Sequence, residues 1–258
     1  ITCGPYVLES FNKEAGTITF VVNEKYPRQP NVEKIVYQLF GNEDTMYLAL
    51  QQGDIDMVWA YSTGVAGTYQ DVLASDANVS LINVAAANAP AVLAFNNAKG
   101  LFTNEDLRQA VSYALDYDAF KTYFGSAYAE IPNRGFVPAT TVGYKDTEKL
   151  TTDASKADEY MKAAGYTEKN ADGFYVNADS QAAAFTLTVN AAKETHVGYA
   201  EMIKTQLEAF GIQVNLDTVD KDAYNAKTSN KFSENNITME AAIYGYTAAG
   251  MGMGNGLG

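Results

Sequence analysis

Cysteine and histidine are nearly missing from this chain: Cys3 and His196 stand alone among 258 residues. One thiol rules out an internal disulfide and a cysteine-rich metal site, and one imidazole rules out a multi-histidine metal centre. Cations are scarce too, with 18 Lys and Arg against 31 Asp and Glu and a net charge of −13. A nucleic-acid partner would need clustered Lys and Arg on its phosphates, so this balance argues against one, and the acidity reads mainly as solubility. No apolar run approaches the roughly 20 residues of a membrane-spanning helix, and the opening ITCGPY lacks the basic and apolar regions of a secretion signal. Cys3 therefore reads as a small buried thiol at the start of a strand rather than as a lipid-anchor cysteine.

What the chain does have is apolar and aromatic: 47% hydrophobic residues, with 18 Tyr, 12 Phe and one Trp. That supplies a substantial core for one large or two modest domains. The most informative stretch is Ala91 to Gly125. Ala91 to Phe95 is a continuous apolar run and reads as a strand covered on both faces, ending at Asn96 and Asn97. Thr103 and Asp106 have capping-box spacing, and Leu107, Ala110, Val111, Ala114 and Leu115 then form one helical apolar stripe.

Before this stretch, Gly4–Phe11 and Thr17–Val22 form a hairpin around NKEAG, Lys34–Phe40 is a strand, and Asn42 caps a helix that Gly53 stops. Ile55–Tyr61 reads as a strand, Gly67–Ser75 as a helix with Tyr69, Val72 and Leu73 inward, and Val79–Ala85 as a strand. After Gly125 comes a long aperiodic stretch with Pro132, Pro138 and three aromatics, which reads as an ordered loop lining a cleft. Thr152 opens a helix with Ala157, Tyr160, Met161 and Ala164 inward. Phe185–Val189, Val197–Phe210 with Gly211, and Ile212–Leu216 make a strand, helix and strand, so a parallel pair with a right-handed crossover is expected. A helix over Asp220–Lys231 and a strand over Met239–Tyr246 follow, and the end is glycine-rich. Alternation of this kind predicts an α/β fold.

Candidate chemistry is thin. Asp54 and Asp56 would share a strand face as an acid–base pair might, but a solvated strand edge is the plainer reading. His196 could orient a ligand or act as a base, or could simply be a polar residue near a helix start. Asn170, Asp172, Asn177 and Asp179 miss the calcium-loop spacing and read as turn residues. The terminal GMGMGNG has no P-loop lysine after it. Aromatics gather at strand ends: Trp59 and Tyr61 at one, Tyr244 and Tyr246 at another. Ligands of open α/β sheets bind beyond the carboxyl ends of strands, so these rings can line a cleft, with core packing as the alternative.

Several stretches in order carry a family resemblance. GPYVLESFNKEAGTITFVVNEKYPRQPNVEKIVYQLFGNEDTMYLALQQGDIDMV, AVLAFNN, FTNEDLRQAVSYALDYDAF and LEAFGIQVNLDTVDKDAY resemble the extracytoplasmic peptide- and nickel-type solute-binding proteins of ABC transporters, family 5. The resemblance implies a two-lobed, class II periplasmic-binding-protein-like α/β fold, here a partial chain. Residues 1–88 would end the first lobe, 89–247 would form most of the second, and 248–258 would cross between lobes or stay disordered. It further implies a monomeric, non-catalytic protein without a cofactor. Such a protein captures a small solute, a peptide foremost, outside the cytoplasm, whether periplasmic or lipid-anchored, and hands it to a membrane permease. By position Tyr244, Tyr246, Thr247 and Ala248 would line the cleft, with His196 near its wall and Asn133 and Arg134 in the long loop, and Asn96 and Asn97 would serve the hinge. The chain reads YGYTAAGMG where oligopeptide-binding members carry Gly-Trp-x-Ala-Asp-Tyr, so the Asp that pairs with a peptide amine is absent. Arg134 is the cation placed to fork onto a carboxylate or phosphate. Alternatives from other classes are an adhesion or scaffold module and a hydrolase using paired carboxylates.

Overall fold

The computed structural model describes residues 3–58, 65, 67–82, 88–134, 144–229 and 237–247. The chain divides into two compact units, Ile1–Trp59 with Val72–Ser80, and Ala60–Asp71 with Leu81–Gly258.

In the first unit β1 (Tyr6–Asn12), β2 (Thr17–Val22) and β3 (Lys34–Gln38) form an antiparallel meander in the order β1-β2-β3. The β1–β2 turn needs Gly16 at φ 64°, a value at which glycine pays no Cβ penalty. The register sets Phe11, Ile18 and Tyr37 side by side, and Leu8, Phe20 and Ile35 likewise. One face of the sheet is thus wholly apolar along these rows, and Phe11 and Leu8 are 63% and 58% exposed. Helix α1 (Glu43–Gln52) starts where Asn42 Oδ1 accepts from the Thr45 N–H and stops at Gly53, φ 78°, as its sequence requires. The Asp54 N–H then returns to the Ala49 carbonyl, which draws the chain round the helix end. Residues 55–58 consequently form no strand, so Asp54 and Asp56 share no strand face; the rest of that expected strand lies outside the described residues. Residues 79–82 are also irregular, against expectation. Cys3 is exposed, not buried, because it precedes β1 and no strand among the described residues pairs with it.

The second unit holds a four-stranded sheet in the order β4-β9-β7-β8, from β4 (Asn88–Phe95), β7 (Ala184–Asn190), β8 (Gln213–Val219) and β9 (Ala241–Thr247). The expected strand, helix and strand are found: β7 pairs in parallel with β8, with helix α6 (Glu194–Phe210) between them in sequence. β9 is parallel to β7 and antiparallel to β4. Phe185, Leu187, Thr188 and Val189 are almost fully buried, as a central parallel strand demands. β4 departs from expectation. It is an edge strand, and residues 91–95 are only half-buried, since its outer side has no partner among the described residues.

Helix α3 (Glu105–Ala114) buries Leu107, Ala110, Val111 and Tyr113, so the stripe read from sequence faces the core. Its cap is Asn104, whose Oδ1 accepts from the Asp106 N–H, rather than Thr103, whose hydroxyl is spent on the Gly100 carbonyl inside a preceding 3-10 turn. Helices α5 (Ala154–Ala163) and α7 (Lys221–Thr228) start on Asp153 and Asp220, which accept from two backbone N–H groups each. Helix α4 (Tyr117–Gly125) follows α3 after a break at Leu115 and Asp116, and α2 spans Gly67–Ser75 with Leu73 inward but Val72 exposed. Two-residue strands β5 (Glu168–Lys169) and β6 (Tyr175–Val176) pair as a small hairpin. The Asn170 and Asn177 side chains accept from backbone N–H groups two and four residues on, which makes them turn residues.

Gly211 closes α6 at φ 122°, and a Cβ there would lie 2.9 Å from the Gly173 carbonyl oxygen. Gly211→Ala is expected to cost about 1–3 kcal/mol from backbone strain alone, seen as a fall in melting temperature of roughly 2–4 °C per kcal/mol.

Candidate functional site

Arg134 stands in the return formed by residues 131–134 and 144–150, where the Arg134 N–H donates to the Glu148 carbonyl at 2.7 Å and the Leu150 N–H to the Pro132 carbonyl at 2.9 Å. This return brings its guanidinium over the Tyr113 ring, 4.2 Å from the centroid. Nη1 donates to Ser112 Oγ at 3.3 Å. Ser112 is tied in turn to Tyr117, whose hydroxyl donates to the Ser112 carbonyl at 2.6 Å and lies 3.3 Å from its Oγ. Burial raises the Tyr117 pKa, while its hydrogen bond to Ser112 and the Arg134 charge pull it down. The last turn of α3 and the first of α4 thus hold the arginine from below. Tyr160 stacks on Tyr113 at 5.8 Å, and the exposed Lys156 brings a second cation within 5.1 Å of the same ring.

The other edge of the guanidinium, Nε and Nη2, is buried and has no hydrogen-bond partner among the described residues. No carboxylate answers it: the ion pairs among the described residues are Lys34–Glu9, Lys162–Asp158, Lys204–Glu208 and Lys227–Asp217. A cation–π contact contributes roughly 0.5–2 kcal/mol, whereas each buried donor left unmade costs about 1–3 kcal/mol, and more when it belongs to a charge. Two such donors outweigh one ring, so the resting arrangement is electrostatically incomplete.

The other described candidates make different contacts. Asn133 donates to the Tyr144 hydroxyl at 2.6 Å, and Tyr144 donates to Asp146 at 2.9 Å, so it works within the loop. His196 is buried in the first turn of α6, beyond the end of β7. Tyr244 donates to the Thr228 carbonyl at 2.9 Å and packs edge-on against Tyr224. Asn96 pins strands together: its side chain donates to the Met239 carbonyl and its backbone N–H to that of Glu240, both at 2.8–2.9 Å. Asn97 is exposed in the turn. Tyr246 and Thr247 pair with Ala89 and Asn88 on β9, but their side chains, and all of Trp59, Tyr61 and Ala248, lie outside the described residues. Ser112, Tyr113, Tyr117 and Lys156 were missed in the sequence. The one local signal is a serine and a tyrosine in the last turn of a helix that another helix follows at once.

The second unit is thus an open α/β sheet whose strand ends meet helix starts, the arrangement in which such sheets take a ligand. Residues 1–251 match the model of bacterial extracellular solute-binding proteins, family 5, and the chain belongs to that family. A haem-binding protein A of Haemophilus influenzae is 25% identical over 248 residues, 95% of this chain and 41% of its own. The oligopeptide-binding protein AppA of Bacillus subtilis, solved with a nonapeptide, superposes with a TM-score of 0.69 at 21% identity, over 95% of this chain and 47% of that one. NikA of Brucella suis, solved with Fe(III)-EDTA, gives a TM-score of 0.77 at 18% identity with the same coverage, 95% and 47%. The chain therefore spans less than half the length of these relatives.

Beside the sheet, Tyr224 donates to the Ile243 carbonyl at 2.6 Å, and burial first, then the neighbouring Tyr244, push its pKa up to about 12. Because the folded-state value is raised, this stabilisation is complete below the ordinary tyrosine pKa near 10 and fades as pH rises through about 12. Tyr224→Phe should cost about 1 kcal/mol at neutral pH and remove one late phenolate transition, near pH 12, from an ultraviolet alkaline titration.

Proposed function

We propose that this chain is part of the solute-binding component of an ABC importer: it captures a peptide or similar small solute in a cleft between two lobes and delivers it to the membrane permease. The observation that carries this reading is the family match over residues 1–251. The α/β sheet supports it, because parallel strands end together beside helix starts, the usual place for a ligand in such folds. Capture is reversible and without catalysis, and closure is a hinge motion of the lobes near residues 87–97. The protein works outside the cytoplasm, in the periplasm or held at the outer face of the membrane. Among the described residues no helix is long and apolar enough to cross a membrane.

A thermal-shift screen against peptides, oligosaccharides and metal chelates tests the proposal. A ligand held only by the native state at a hundredfold excess over its Kd adds about 2.7 kcal/mol, which raises the melting temperature by roughly 5–10 °C. Silence from a folded protein across all three classes would favour an adhesion or scaffold role, for which the exposed Leu8, Phe11 and Tyr37 offer a surface.

A further inference from the structure

We propose that Asn78, in the turn that follows α2, is an acceptor for an N-linked glycan. Asn78-Val79-Ser80 is an Asn-x-Ser triplet, the pattern such acceptors share, and Asp76 stands two residues ahead of the asparagine. The modification goes beyond solute binding. It rests on the proposed function only for its location, because glycans of this kind are carried by chains that work outside the cytoplasm.

A triplet can accept a glycan only where its carboxamide can be reached. Helix α2 ends at Ser75, and the chain then turns: the Asp76 N–H returns to the Leu73 carbonyl at 3.3 Å and the Val79 N–H to the Asp76 carbonyl at 3.1 Å. Ala77, Asn78 and Ser80 are exposed in this turn. Its base is fastened by Asp76, whose Oδ1 accepts from the Asn78 N–H at 2.9 Å and whose Oδ2 accepts from Gln51 Nε2 at 3.1 Å, at the end of α1.

The free carboxamide sets Asn78 apart. An asparagine in a turn ordinarily spends Oδ1 on a backbone N–H a few residues on. Asn12 does so to Ala15, Asn23 to Lys25, Asn42 to Thr45 and Asn170 to Asp172. Here the Asp76 carboxylate closes the turn instead, so the Asn78 carboxamide and the Ser80 hydroxyl both meet no partner among the described residues. Residues 79–82 are irregular and belong to no strand, so the triplet can bend into a transferase without breaking a ladder.

In the transfer, Asn78 Nδ2 attacks the anomeric carbon of a glycan carried on a polyprenyl pyrophosphate. The Nδ2–carbon bond forms as the anomeric C–O bond to phosphate breaks, the pyrophosphate leaves with that electron pair, and Nδ2 gives up one proton. Nothing is oxidised or reduced. The Ser80 hydroxyl is the second recognition element of the triplet.

The test incubates the folded full chain with a purified bacterial oligosaccharyltransferase and its polyprenyl-pyrophosphate glycan, beside a synthetic peptide of residues 72–82, and locates added glycan by mass spectrometry of proteolytic fragments. One glycan should appear on Asn78, and the folded chain should be modified no more slowly than the peptide. Asn78→Gln should carry none there, and Ser80→Thr should accept as the parent does. Ser80→Ala should slow transfer about tenfold, as loss of one hydrogen bond would. All three variants should melt with the parent, because the replaced groups have no partner among the described residues. Modification of the peptide alone would show the turn closed in the folded chain and overturn the site. Modification of neither would overturn it too, as would a glycan only on Asn236, the asparagine of the Asn236-Ile237-Thr238 triplet, which lies outside the described residues. Each of these outcomes leaves solute capture standing. Recovery of the chain from the cytoplasm alone of its own cells would instead overturn the extracytoplasmic reading and the glycan together.

Discussion

The second unit depends on the burial of β7 on both faces. A parallel strand in the middle of a sheet leaves no side chain facing water, so each face must be covered by another element. On one side Phe185, Leu187 and Val189 sit in a single cluster with Ile203 and Leu207 of α6 and with Val111 of α3. On the other, Thr188 is buried and donates to Asp217 on β8, which also takes the Lys227 ammonium of α7 at 2.6 Å. The ladder with β9 is short, registering only at Leu187 with Ala241 and Thr188 with Ala242. Where it ends, the Glu240 carboxylate accepts from the Thr186 N–H at 2.8 Å, so a side chain completes what backbone pairing leaves open. Placement of α3, α6 and α7 follows from this one strand.

From that frame comes the corner at Arg134. Helix α3 must turn its apolar stripe toward β7, which leaves Ser112 and the Tyr113 ring at the margin where the loop returns. The core is satisfied and the margin is not: an arginine with two of its three guanidinium nitrogens unpartnered among the described residues packs against a helix end. Natural proteins concentrate such incomplete electrostatics at functional sites, because a ligand then supplies the missing partner. The contrast with the Asp158, Lys162 and Tyr175 group is instructive. There the Lys162 hydrogen bond first, and then that of Tyr175, lower the Asp158 pKa, and nothing remains for a ligand to complete.

Local signals in the chain were reliable where a single element decides. Asn42, Asp220, Gly53 and Gly211 mark helix ends because capping is a contact within one turn, whereas the helix expected from Thr152 is capped by Asp153. The βα-β unit at 184–219 was legible because helical and strand periods differ sharply and the lengths suit a crossover. Errors came where a neighbour intervenes. Thr103 has cap chemistry but lies inside a 3-10 turn, which moves the cap to Asn104. Ile55–Val58 has strand composition, but the reversal after Gly53 consumes the chain. Ala91–Phe95 has the apolar run of a buried strand, yet pairs on one side only among the described residues.

By itself the sequence determined the α/β class, several helix ends and the family, because caps, periods and ordered motifs are read along the chain. It also marked Arg134 as a cation of interest. Only the tertiary structure decided which strand is central and which is an edge, since strand order is a long-range pairing that no local pattern encodes. It alone brought Ser112, Tyr113, Tyr117 and Lys156 around an arginine up to 22 residues away. Whether a buried donor finds an acceptor depends on every group that packs near it, and that is a property of the folded neighbourhood rather than of any one residue.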